Sequence, residues 1–173
     1  EDIMRKLKGN RTNEELFRGR GLRAVKTQAD DGVVILISRD EIIEKKDSWE
    51  YHVLFAQLPQ RFFLHEAGLH LEFFFVDEDF FLKNKNDCDM AFVSLKEDDT
   101  ALIVRSRRPG DRISGAGGEK KIKELFIDRK LSPEAKERVP IIAVGGRIAA
   151  VLLGFLRSGH NRIADDFLVN SGS

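Results

Sequence analysis

Residues 105–140, RSRRPGDRISGAGGEKKIKELFIDRKLSPEAKERVP, admit few folds because strand, turn and helix chemistry follow one another there without a gap. A β-rich run at residues 101–107 ends on Arg105, Arg107 and Arg108. Pro109-Gly110-Asp111 then turns the chain, since proline presets φ and glycine accepts positive values. Residues 120–130 predict a helix, with Ile122, Leu125 and Phe126 at i, i+3, i+4 on one apolar face. Ser132-Pro133-Glu134 predicts a second helix start, with Ser132 as N-cap and Pro133 in the first turn, and this helix should end near Arg138. Residues 139–144 and 148–153 read as a hairpin closed by Gly145-Gly146, and residues 167–169 as a last short strand. The fold class that accommodates all of this is α+β, antiparallel and β-rich, with a short helix pair in the C-terminal half.

Upstream, the pattern is mostly β. Ile3 and Leu7 fit a helical turn or two closed by Gly9-Asn10, the expected tail of a helical domain over residues 1–16. Residues 22–27 and 33–38 flank Asp30-Asp31-Gly32, a hairpin turn, and residues 49–55 form a further strand. Residues 61–65 and 70–76 predict a second hairpin. Phe62, Phe63, Phe73, Phe74, Phe75, Phe80 and Phe81 crowd this region. Such rings can stack RNA bases, but consecutive Phe73, Phe74 and Phe75 point to alternate faces, so a strand buried on both sides, and therefore core, is expected. Asp77-Glu78-Asp79 is expected as a polar turn and residues 89–95 as a strand. The charged connector at residues 96–100 is the expected boundary between a β-rich domain over residues 17–98 and a C-terminal domain over residues 99–173.

Net charge is zero, yet it is unevenly spread. Residues 1–100 carry 15 Lys and Arg against 21 Asp and Glu, and residues 101–173 carry 14 against 8, so the halves stand at −6 and +6. An anionic partner would therefore meet the C-terminal half. Cys88 is the only cysteine, which excludes an intrachain disulfide, and no apolar run approaches membrane-span length, so a cytoplasmic protein without a membrane partner is expected. The chain opens on Glu1 rather than methionine, as a piece of a longer protein would.

Catalytic chemistry finds little support. Residues 115–120 are glycine-rich but match neither G-x-G-x-x-G nor G-x-x-x-x-G-K-[ST], and no G-x-S-x-G places a serine nucleophile. His65, His70 and Cys88 give no metal-ligand spacing, so no metal and no catalytic residue are assigned. What remains is a phosphate-binding stretch: Arg105, Arg107, Arg108, Arg112, Lys120, Lys121, Lys123, Arg129 and Lys130, with the lysines expected around a helix N-terminus whose free N–H groups attract anions.

RSRRPGDRI followed by GGEKKIKELFIDRKLSPEAKERVPII resembles the C-terminal domain of the bacterial tRNA(Ile)-lysidine synthetases. Gly21-Leu22-Arg23 and the following hairpin extend a weaker similarity over most of the chain. The resemblance implies an intact enzyme, a ligase, that uses ATP to adenylate the wobble cytidine of isoleucine tRNA and replaces the adenylate with lysine. It further implies a catalytic domain in the same chain, carrying an SGGxDS loop absent from these residues, and a C-terminal region that grips the tRNA away from the anticodon. The fragment itself is then expected to hold no cofactor and to catalyse nothing. A free-standing RNA-binding module, or a structural docking domain, is the alternative.

Overall fold

The computed structural model describes residues 14–19, 22–29, 32–39, 48–156 and 159–170. The chain divides into two compact units, residues 1–47 with 126–136, and residues 48–125 with 137–173.

The first unit holds a three-stranded antiparallel sheet of β1 (Glu14–Gly19), β2 (Leu22–Ala29) and β3 (Gly32–Arg39) in that order. β2 and β3 pair without interruption from Leu22↔Arg39 to Ala29↔Gly32, as the Asp-Gly turn predicts. β1 goes beyond the sequence expectation and meets β2 with a register shift between Glu15 and Phe17, so residues 14–16 are strand. The expected helix around Ile3 and Leu7 lies outside the described residues.

The same unit carries the link between two helices, α2 (Ile122–Asp128) and α3 (Pro133–Arg138). Past the end of α2, the Lys130 N–H donates to the Ile127 carbonyl at 2.9 Å and the Leu131 N–H to the Phe126 carbonyl at 3.1 Å, a Schellman closure. That closure needs a left-handed residue, and Lys130 takes the position with φ 53° where glycine is usual. Lys130→Gly should therefore raise stability by about 0.5–1 kcal/mol, read as a higher urea midpoint. A lower midpoint would mean that the lysine side chain contributes more than its backbone strain costs. Ser132 caps α3 as expected, its Oγ accepting the Ala135 N–H at 3.2 Å.

The second unit is built on a five-stranded antiparallel sheet. Its strands are β4 (Glu50–Leu54), β7 (Ala101–Arg105), β10 (Ile141–Val144), β11 (Arg147–Val151) and β12 (Arg162–Ile163), in the order β12-β11-β10-β7-β4. β10 is buried at every position and β11 at all but Arg147, which is why both read as continuous apolar runs rather than alternating ones. Gly145 and Gly146, with φ of 56° and 76°, close their two-residue turn. β4 joins β7 from Glu50↔Arg105 to Leu54↔Ala101, so the pairing crosses the charged connector at residues 96–100. The last strand is β12; Asp165–Phe167, expected to begin a strand at Phe167, is a 3-10 turn.

β5 (Gln60–Leu64) and β6 (Leu69–Phe73) form the expected second hairpin, but its aromatic residues depart from the core expectation. Alternation sends Phe62, Leu64, Leu71 and Phe73 inward and leaves Phe63 outward, while Phe74 and Phe75, beyond the end of β6, are 42% and 66% exposed. On the inner side Tyr51 stacks on Phe62 and Phe62 on Phe73, with ring centroids 5.3 and 5.9 Å apart. Asp77 begins a helix, α1 (Glu78–Asn84), its carboxylate accepting the Phe80 N–H at 2.8 Å. Phe80 and Phe81 therefore lie on a helix. Residues 89–95 form no strand; the Ser94 N–H instead reaches the Phe167 carbonyl at 2.8 Å.

Candidate nucleic-acid interface

β7 delivers the chain into a turn at residues 108–111, closed by the Asp111 N–H on the Arg108 carbonyl at 3.2 Å. Pro109 and Gly110 hold its centre, and the glycine φ of 86° marks a type II turn, which side chains at that position resist. Asp111 is the knot of this region. Its carboxylate accepts both Arg105 terminal nitrogens, at 2.8 and 2.9 Å, and the Arg108 N–H at 2.7 Å, while its carbonyl accepts the Ile122 N–H at 2.9 Å. Burial pushes the Asp111 carboxyl up, but the Arg105 guanidinium and the Arg108 N–H outweigh it and hold the group below the usual range.

Arg105 therefore departs from the expected phosphate contact. It is buried, and its fork is committed to Asp111. Its role is to fix the turn from which the following cations project. Arg107 is half-buried, and Arg108 is exposed with its guanidinium 2.5 Å from Glu50 Oε2. The His52 hydrogen bond, against a small opposing burial, and then Arg108 keep the Glu50 carboxyl below its ordinary range.

The glycine-rich stretch is a β-hairpin and not a helix entrance. β8 (Arg112–Gly115) and β9 (Gly118–Lys121) pair from Arg112↔Lys121 to Gly115↔Gly118, leaving Ala116 and Gly117 at the tip. Lys120 and Lys121 thus lie on a strand, correcting the expected helix over residues 120–130; α2 starts only at Ile122. Ile113 is buried, so its strand neighbour Arg112 and the opposing Lys121 share the other, exposed face. Two like charges directly opposite repel each other, and neither meets a carboxylate among the described residues. Lys123 is exposed in the first turn of α2. Arg129 and Lys130 are exposed beyond the end of that helix and belong to the other unit.

One cation escaped the sequence reading. The Arg162 guanidinium lies 3.5 Å from the Ser114 carbonyl, against Gly115 where any Cβ would collide with it. Only the packing of β12 brings it to the hairpin, and nothing local to Arg162 signals this. Among the described residues no cluster of three His, Cys, Asp or Glu could hold a metal ion, and no helix is long and apolar enough to cross a membrane.

The family model for the TilS substrate C-terminal domain matches residues 102–163, which contain every one of these cations. Residues 102–163 are a TilS C-terminal domain. Relatives include the tRNA(Ile)-lysidine synthases of Persephonella marina, 27% identical over 125 residues, and of Clostridioides difficile, 25% identical over 175. The alignments cover 70% and 100% of this chain but 26% and 34% of those proteins, so the chain spans about a quarter to a third of their length. The enzyme of Lactococcus lactis is 30% identical over 128 residues, 65% of this chain and 29% of its own. A crystal structure of a TilS C-terminal domain is 26% identical, covering 72% of this chain and 90% of that one, with a TM-score of 0.43. In the matched TilS segment, β7, the β8–β9 hairpin, the helix pair and β10 to β12 follow in unbroken order.

Proposed function

We propose that this chain is the tRNA-gripping C-terminal part of a tRNA(Ile)-lysidine synthase, a ligase that attaches lysine to the wobble cytidine of isoleucine tRNA. The observation that carries this reading is the outer face of the β8–β9 hairpin, where Arg112 and Lys121 stand opposed with no acidic partner among the described residues. Such a pair costs stability in the free protein and gains it when a phosphate lies between the two cations. Lys120, Lys123 and Arg108 extend the positive path along the same stretch, with Arg107 as an outlying contact. Arg105 positions the path through Asp111. Contacts of this type hold the backbone of a duplex and leave its sequence unread, which suits a grip away from the anticodon. ATP and the adenylation chemistry fall to a catalytic domain of the whole protein, a reading supported by relatives of which the alignments cover only 26% and 34%. A cytoplasmic location follows from the tRNA substrate.

The test is the paired reversal Arg112→Glu with Lys121→Glu. It should weaken binding of isoleucine tRNA and of an unrelated tRNA alike, by on the order of tenfold or more at 0.1 M salt, and lower the salt slope by about 0.7–0.9 per lost contact. Lys83→Glu with Lys85→Glu, at exposed positions at the end of α1, should leave both affinities within about twofold. Equal losses from both pairs, or no loss from either, would overturn the localised grip in favour of a docking domain.

A further inference from the structure

Cys88 stands on an exposed turn, its Sγ 3.5 Å from Nδ1 of His160, which is also exposed. The two residues are far apart in sequence, and their meeting is built by backbone contacts. The Met90 N–H closes the turn on the Asp87 carbonyl at 3.2 Å. Asn161, next to His160, donates to the Cys88 and Met90 carbonyls at 3.2 and 3.1 Å and accepts the Gly154 N–H at 2.8 Å. Gly154 itself permits the approach, because a Cβ there would collide with the Cys88 carbonyl oxygen. Asn161 thus fixes the thiol-bearing turn and the imidazole-bearing segment to each other.

We propose that Cys88 is an activated thiol, a modification site for low-molecular-weight disulfides, with His160 as its base. An imidazole nitrogen in hydrogen-bond reach of a thiol can take its proton and leave a thiolate–imidazolium pair, the nucleophilic form. The thiolate attacks one sulfur of the small disulfide, whose S–S bond breaks as a Cys88–S–S–R bond forms. The leaving thiolate takes a proton from the imidazolium or from water. Cys88 ends oxidised as a mixed disulfide and half of the reagent is reduced to thiol, so excess thiol reverses the step.

The experiment uses the 173-residue chain and 5,5′-dithiobis(2-nitrobenzoate), following release of the coloured thiol. At pH 7 the folded chain should react at least about tenfold faster than the same chain unfolded in urea, and His160→Gln should bring the folded rate down to the unfolded one. Cys88→Ser should release nothing. The comparison of folded with unfolded wild type decides the matter if His160→Gln fails to fold. A folded rate no faster than the unfolded one, or a folded His160→Gln chain as fast as wild type, would overturn the proposal.

Discussion

Asp111→Ala should cost about 3–5 kcal/mol of folding stability, measured as a lower urea midpoint at pH 7. The carboxylate and the Arg105 guanidinium are both nearly buried, with side-chain exposures of 11% and 8%, and they meet through two parallel hydrogen bonds. Removing one partner leaves the arginine charge desolvated and uncompensated, which is far more costly than the net worth of the pair. It also frees the Arg108 N–H and unfastens the type II turn, so tRNA affinity should fall even though Asp111 carries the wrong charge to touch a phosphate. The pH dependence has a definite sign. A carboxyl held below its ordinary value contributes stability that is complete above the unfolded value of about 3.9 and is lost as pH falls through the folded one. The wild type should therefore lose this increment only in acid, below about pH 4, and Asp111→Ala should have a flatter acid limb. A loss under about 1 kcal/mol at pH 7 would mean that water reaches the pair and that Arg105 is available to ligands.

Phe126→Ala should cost about 3–5 kcal/mol as well, through a different cause. Phe126 is 1% exposed, and Ile122 and Leu125 on the same helix face are also buried, so the truncation leaves a cavity lined by side chains that relax only partly. The adjacent Ile127 is 55% exposed and serves as the control: Ile127→Ala should shift stability by no more than about 0.5 kcal/mol. Equal midpoints for the two variants would show that the helix is rotated from the face assigned to it.

Ile122, Leu125 and Phe126 were legible in the sequence because the 3.6-residue period of a helix is a local property, and the same holds for features that depend on φ at one or two residues. Pro109-Gly110, Ser132-Pro133 and Gly145-Gly146 all stand at the turns or caps that their backbone preferences dictate. The motif around these turns carried the family resemblance for the same reason. Lys120 and Lys121 were not legible as a strand. Lysine tolerates helix and extended backbone alike, and β9 exists only because β8 offers it a partner, an exchange of hydrogen bonds that no short window records. Tertiary structure likewise decided which phenylalanines are exposed, since a run of three rings looks the same whether a second layer covers the strand or solvent does. It alone sank Arg105 beneath the turn and laid Arg162 against Gly115. Burial and ion pairing depend on residues distant in the chain, and a basic side chain carries the same letter in the core as on the surface.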